Sequence, residues 1–295
     1  MMPRTANRSC GWRRSATAAI CCLQLGACVH PPGQQIPARE AAAIEANRRA
    51  EVYFRRGDLR NAVKFYTDAL RISQSIEDVN GIAANSINLS IAYQQLGQHD
   101  AARASLAPLL ETGALTFPPE RMAQAALRRA VLDLDEHRFE SAASWANKAA
   151  EHCGASGCAL SAAIHNVRGQ LALDGSQLEA ATQSAKAALE AAKSRGDRGE
   201  TANALRLLGQ ISIRAKDGTA AHAAFTAAYD IDRELAQSHK LYVDLIGLGN
   251  AARLRGEPAQ ARSYYERAAA VGEADRDSRA AAEARALIQA LGESR

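Results

Sequence analysis

Small and apolar residues recur along this chain at two spacings. The short one is helical. Ala62 is followed by Tyr66 and Ala69, Ala221 by Phe225 and Ala228, and Ala261 by Tyr265 and Ala268. Positions i, i+4 and i+7 share one face of an α-helix, and no stretch alternates as a strand would. The long spacing is a repeat. Ala62, Ala102, Ala142, Ala181, Ala221 and Ala261 lie 40, 40, 39, 40 and 40 residues apart. A fixed period of this length means stacked copies of one supersecondary unit, each burying its neighbour's apolar face.

Each copy reads as two helices. Before the small alanine come breaker residues: Gly57-Asp58, Gly97-Gln98, Gly175-Ser176, Asp217-Gly218 and Gly256-Glu257-Pro258. Glycine ends a helix in the left-handed conformation, and proline starts the next one. The upstream helices carry Leu205, Leu208, Gly209 and Ser212 in one copy, and Leu245, Leu248, Gly249 and Ala252 in another. Ser86, Leu89, Ser90 and Tyr93 fall at the same positions, as do Ala50 and Tyr53. With the alanine-x3-aromatic pattern that follows, these residues resemble the tetratricopeptide repeat. The resemblance implies an all-α, right-handed solenoid of six helical hairpins, about residues 40–272, with residues 273–295 forming a capping helix and tail. The period of 40 rather than 34 implies longer helices. The third copy departs from the pattern, with Asp133 in place of the aromatic and His137-Arg138 in the turn.

Residues 1–27 read as an export signal. Arg4, Arg8, Arg13 and Arg14 precede the apolar run Ala18 to Leu25, with no acid among them. The run is too short to span a bilayer permanently. It ends Leu25-Gly26-Ala27-Cys28, which resembles a bacterial lipobox and implies lipidation of Cys28. Val29 after the cysteine resembles lipoproteins sorted to the outer membrane. Residues 28–39, with Pro31, Pro32, Gly33 and Pro37, read as an extended tether. The expected location is the outer membrane, facing the periplasm; a soluble periplasmic protein is the alternative.

Export changes the charge balance. Of 36 Lys and Arg, four lie in the signal, leaving 32 against 32 Asp and Glu. The balanced remainder does not call for nucleic acid. Beyond Cys28 the cysteines are Cys153 and Cys158, in a short glycine-containing loop. An oxidising compartment favours a disulfide between them. The other reading is a metal site with His152 and His165, for which the spacing is irregular.

No GxSxG, HExxH or P-loop sequence occurs, so the chain is read as no enzyme, with no cofactor. Gly247-Leu-Gly249-Asn-Ala-Ala252 imitates a nucleotide fingerprint, but that motif needs a preceding strand, and here it falls inside a helix. The chemistry left is the concave face. By the resemblance, helix A of each repeat lines that face and binds a protein or peptide. The carried-over positions are Asn47, Glu51, Arg55, Asn88, Gln94, Gln95, Arg128, Asn166, Gln170, Asn203, Arg206, Gln210, Arg214, Asn250 and Arg253. Amides offer donors and acceptors to a peptide backbone, and arginine a fork for carboxylates. The densest cluster is Asn166, Asn203, Arg206, Gln210, Asn250 and Arg253. The expected function is a lipid-anchored periplasmic scaffold for envelope-complex assembly, with a peptide-responsive regulator or an unlipidated adaptor as the alternative.

Overall fold

The computed structural model describes residues 36–111, 113–154 and 158–293. The signal segment, Cys28 and most of the tether lie outside them. Among the described residues the chain is all helix and connection. The helices are α1 (Ala38–Arg55), α2 (Leu59–Ser75), α3 (Val79–Gln95), α4 (His99–Ala104), α5 (Ala107–Leu110), α6 (Pro119–Asp135), α7 (Phe139–Cys153) and α8 (Ser161–Asp174). They continue with α9 (Leu178–Arg195), α10 (Arg198–Arg214), α11 (Gly218–Glu234), α12 (Ser238–Leu254), α13 (Pro258–Ala274) and α14 (Ser278–Glu293).

A twenty-residue beat sets these lengths. Residues 57, 77, 97, 137, 176, 196, 216, 236, 256 and 276 all sit in the left-handed region, with φ from 52° to 75°. At each, the next amide N–H turns back to a carbonyl five residues earlier, as in Asp58 to Tyr53 at 3.0 Å and Asp217 to Ser212 at 2.9 Å. This is the helix-ending motif that satisfies otherwise orphaned carbonyls. Asp58, Asp78, Asp197 and Asp217 then accept a backbone N–H of the following helix, each cap contributing about 1 kcal/mol. Only some of the left-handed residues are glycine; Glu77, His137, Ser176, Lys216, Ala236 and Arg276 adopt the same conformation. Two glycines read as turn residues have other roles. Gly175 is not left-handed, its neighbour Ser176 being so. Gly218 lies inside α11, where a Cβ would meet the Ala251 carbonyl at 3.0 Å.

The beat is interrupted twice, between 97 and 137 and between 137 and 176. Ala102, Leu106 and Leu109 share the i, i+4, i+7 spacing of one helix, but the chain splits there into α4 and α5. Pro108 is the cause: it has no N–H to donate and its ring clashes with the carbonyl four residues back. All three residues stay buried regardless.

The alanine register governs packing. Ala62, Ala102, Ala142, Ala181, Ala221 and Ala261 are all 0% exposed. Their i+4 and i+7 partners are buried with them, from Tyr66 and Ala69 to Tyr265 and Ala268. Apart from the short α4 and α5, consecutive helices pack pairwise from α1·α2 to α13·α14. The odd residue of the third copy is absorbed: buried Asp133 accepts from Ser141 Oγ at 2.6 Å, Arg129 Nε at 3.1 Å and Arg138. Burial alone would raise the Asp133 pKa; the Ser141 and Arg138 hydrogen bonds and the charges of Arg129 and Arg138 outweigh it and hold the carboxyl below its usual range.

Candidate functional site

The first helices of successive hairpins lie side by side, α6 against α8, α8 against α10 and α10 against α12. Two adjoining clefts open along them. The first, about 270 Å³, is walled by Leu127, Val131, Leu134, Ala163, Val167 and Leu207 and rimmed by Asn166, Gln170, Glu200, Asn203, Arg206 and Gln210. The second, about 300 Å³, shares Gln170 and Gln210 and adds Asp174, Arg214 and Asn250 over Phe225, Val243 and Ile246. Apolar walls with a few placed polar groups are the usual make-up of a ligand site.

The helical period explains the convergence. Asn166 and Gln170 stand one turn apart on α8, as do Asn203, Arg206 and Gln210 on successive turns of α10, so their side chains share one face. Gly247 lets the Phe225 ring line the second cleft: a Cβ there would lie 2.4 Å from that ring.

The other groove positions stand elsewhere. Asn47 donates to Glu51 at 2.8 Å along α1. Asn88 is half-buried on α3 and lines neither cleft, and Arg253 is exposed beyond the second. Arg128 spans from α6 to α3, donating to Ser90 Oγ at 3.3 Å, the Ser90 carbonyl at 3.2 Å and Gln94. Gln94 in turn donates to Asp135. Burial pulls the Arg128 guanidinium down to about 10 against the attraction of Asp135, whose own carboxyl burial pushes up.

Arg206 lines the first cleft, yet its fork faces inward. Nε donates to Asp244 Oδ1 at 2.8 Å, Nη1 to Asn203 Oδ1 at 2.9 Å and Nη2 to Asp232. Both aspartates are 0% exposed. Burial and the Asp232 charge push the Asp244 carboxyl up to about 6, with Arg206 opposing. This arginine is a strut of the cleft wall, holding α10 to α11 and α12.

Sequence reasoning passed over the acids. Glu200 accepts from Asn166 Nδ2 at 2.7 Å and Asn203 Nδ2 at 3.2 Å, and Asp174 accepts from Gln170 Nε2 at 3.0 Å. Part of the amide donor capacity is thus already used. One signal was available: Asp232 stands 40 residues after Ala192, an acid on the buried stripe.

Cys153, at the end of α7, and Cys158 are joined in a disulfide, with Cα atoms 5.1 Å apart. Among the described residues no group of three or more His, Cys, Asp or Glu is placed to hold a metal ion. No described helix is long and apolar enough to cross a membrane.

Known proteins agree on the fold. Residues 40–108 match the family described as tetratricopeptide repeat. No curated protein matches the sequence at a significant level. Among solved structures, BtubC from P. vanneervenii is 19% identical, with a TM-score of 0.55 over 82% of this chain and 93% of its own. A signal-transduction ATPase with a tetratricopeptide repeat sensor, from Pyrococcus horikoshii, is 15% identical with a TM-score of 0.62. That match covers 86% of this chain but only 38% of the ATPase. A Rap protein complexed with competence and sporulation factor is 15% identical, with a TM-score of 0.60 over 86% of this chain and 71% of its own. The chain is an all-α helical repeat solenoid, and its first two hairpins carry the match to the tetratricopeptide repeat. A repeat fold of this kind suggests a protein-interaction scaffold or adaptor.

Proposed function

We propose that this protein is an envelope adaptor. Its clefts along α6, α8, α10 and α12 hold a segment of another protein, while a lipid on Cys28 ties it to the outer membrane on the periplasmic side. The observation that carries the reading is the pair of clefts joined at Gln170 and Gln210, with apolar walls and amide rims. A segment laid across both would place apolar side chains in the walls and its backbone against the amides. The lipobox-like Leu25-Gly26-Ala27-Cys28, the proline-containing tether after it and the Cys153–Cys158 disulfide support the anchor and the oxidising compartment. Assembly of an envelope complex is the setting these features suit.

A photo-crosslinking residue placed at Gln210 is expected to trap a discrete envelope partner in living cells. The same residue at Gln183, exposed on α9, is expected to trap none. Labelled palmitate should enter the protein and be lost in Cys28→Ala. Equal crosslinking from Gln183 contradicts the groove, and palmitate-free protein contradicts the anchor.

A further inference from the structure

The chemistry of the first cleft is lopsided. Asn166 and Asn203 each turn an amide N–H onto the Glu200 carboxylate. Asn166 Oδ1 is left buried, with no hydrogen bond. Among the described residues no cation pairs with Glu200. The nearby guanidinium of Arg206 is taken by Asn203, Asp244 and Asp232, two acids to one base. The cleft therefore offers the Glu200 carboxylate and Asn166 Oδ1 at its rim, beside an apolar wall drawn from α6 and α8.

An acidic segment would set like charge against Glu200 as it shut out water, and a neutral one would offer donors but leave the carboxylate without counter-charge. A cation supplies several N–H donors and the missing charge together. Gln210 keeps its amide for the partner's backbone, since none of the described hydrogen bonds uses it.

We propose that this cleft takes a partner segment in which an apolar side chain is followed within one or two residues by lysine or arginine. The apolar group sits against Leu127, Val131 and Val167, and the cation lies on Glu200 and Asn166 Oδ1. This rests on the groove reading above and adds the chemistry of the partner. A partner's acidic or free C-terminal end is excluded, because the guanidinium that would receive it is committed inside the wall.

The test is an array of immobilised eight-residue Gly/Ser peptides with a central Leu or Phe. Lys, Arg, Ser or Glu stands two residues along. The purified protein is probed beside Glu200→Gln and Glu200→Lys, with affinities of retained peptides read by fluorescence anisotropy. The expected result is a preference for Lys or Arg over Ser of about ten-fold or more, the size of one charge-assisted hydrogen bond, weakening with added salt. Glu200→Gln keeps an acceptor for Asn166 and should erase the preference without shifting the melting temperature. Glu200→Lys should turn it toward Glu; if that variant does not fold, Glu200→Gln decides alone. Retained peptides with no cation preference, or a preference unchanged in Glu200→Gln, overturn this inference and leave the groove standing. An array that retains no peptide of any composition overturns the groove reading as well.

Discussion

Replacing Arg206 with methionine is expected to cost about 3–5 kcal/mol of folding stability, as removing one member of a buried charge cluster does. Arg206 is 11% exposed, and Asp232 and Asp244 are not exposed at all. Methionine keeps much of the volume and removes the charge, so two carboxyls are left against each other in an apolar wall. The pH dependence follows from the sign of the shift. The Asp244 pKa is raised to about 6 in the folded protein, above the roughly 3.9 of an unfolded aspartate. The folded state therefore holds the extra proton. This site's contribution is fully present below about pH 4 and is lost as pH rises through 6. Without Arg206 the Asp244 carboxyl loses its counter-charge and favours protonation more strongly. The deficit of Arg206→Met is then larger at pH 7.5 than at pH 5. Urea unfolding at the two values measures it, and equal midpoints for variant and wild type at pH 7.5 would rule the cluster out as a strut.

The second large effect is one of sign. Gly249→Ala places a Cβ 2.2 Å from Tyr265 Cε1, and Tyr265 is 0% exposed. That ring sits among Ala252, Ala261, Leu287 and Ile288, where α12, α13 and α14 meet. It also donates its hydroxyl to Asn250 Oδ1 at 2.7 Å, so it has little freedom to withdraw. On helix propensity alone alanine should stabilise by about 1 kcal/mol over glycine. Overpacking costs about 1–3 kcal/mol. The clash wins, and the melting temperature should fall. Tyr265→Leu in the Gly249→Ala background should recover part of the loss. A rise in melting temperature for Gly249→Ala would mean that Tyr265 does not occupy this space.

These two sites also show what the sequence could carry. Helix positions, the six-hairpin register and the place of Gly249 inside a helix were legible because they depend on spacing within about 40 residues. The buried alanines announce themselves: a crossing that must be close admits only a small side chain. The left-handed turns were half legible. Glycine marks some of them, but Ala236 and Lys216 adopt the same conformation because the packed helices on either side fix the turn. The split of α4 from α5 was written in Pro108 and missed, since the apolar spacing continues through it.

The groove was legible as a row of helix-A positions and no further. Asn166, Gln170, Asn203, Gln210 and Asn250 line the clefts, whereas Asn47, Asn88, Arg128 and Arg253 line neither. Periodicity puts a side chain on a face; it does not say whether a neighbour takes it. Arg206 meets Asp232 and Asp244 across 26 and 38 residues, through the register of three helices. Arg128 is drawn to Ser90 and Gln94 in the same way. An arginine read as a fork for a partner's carboxylate is thereby a tie within the wall.

The adaptor reading stands on Gln170 and Gln210, the two residues shared by both clefts. Neither helps hold the core, so Gln170→Ala with Gln210→Ala should leave the melting temperature within about 1 °C, surface changes being worth about half a kcal/mol or less. The decisive measurement is calorimetric titration of this double variant with the partner trapped from position 210. A Kd weakened about ten-fold or more, at unchanged stability, is the predicted result. A Kd equal to that of the wild type would mean that the partner docks on another face of the solenoid.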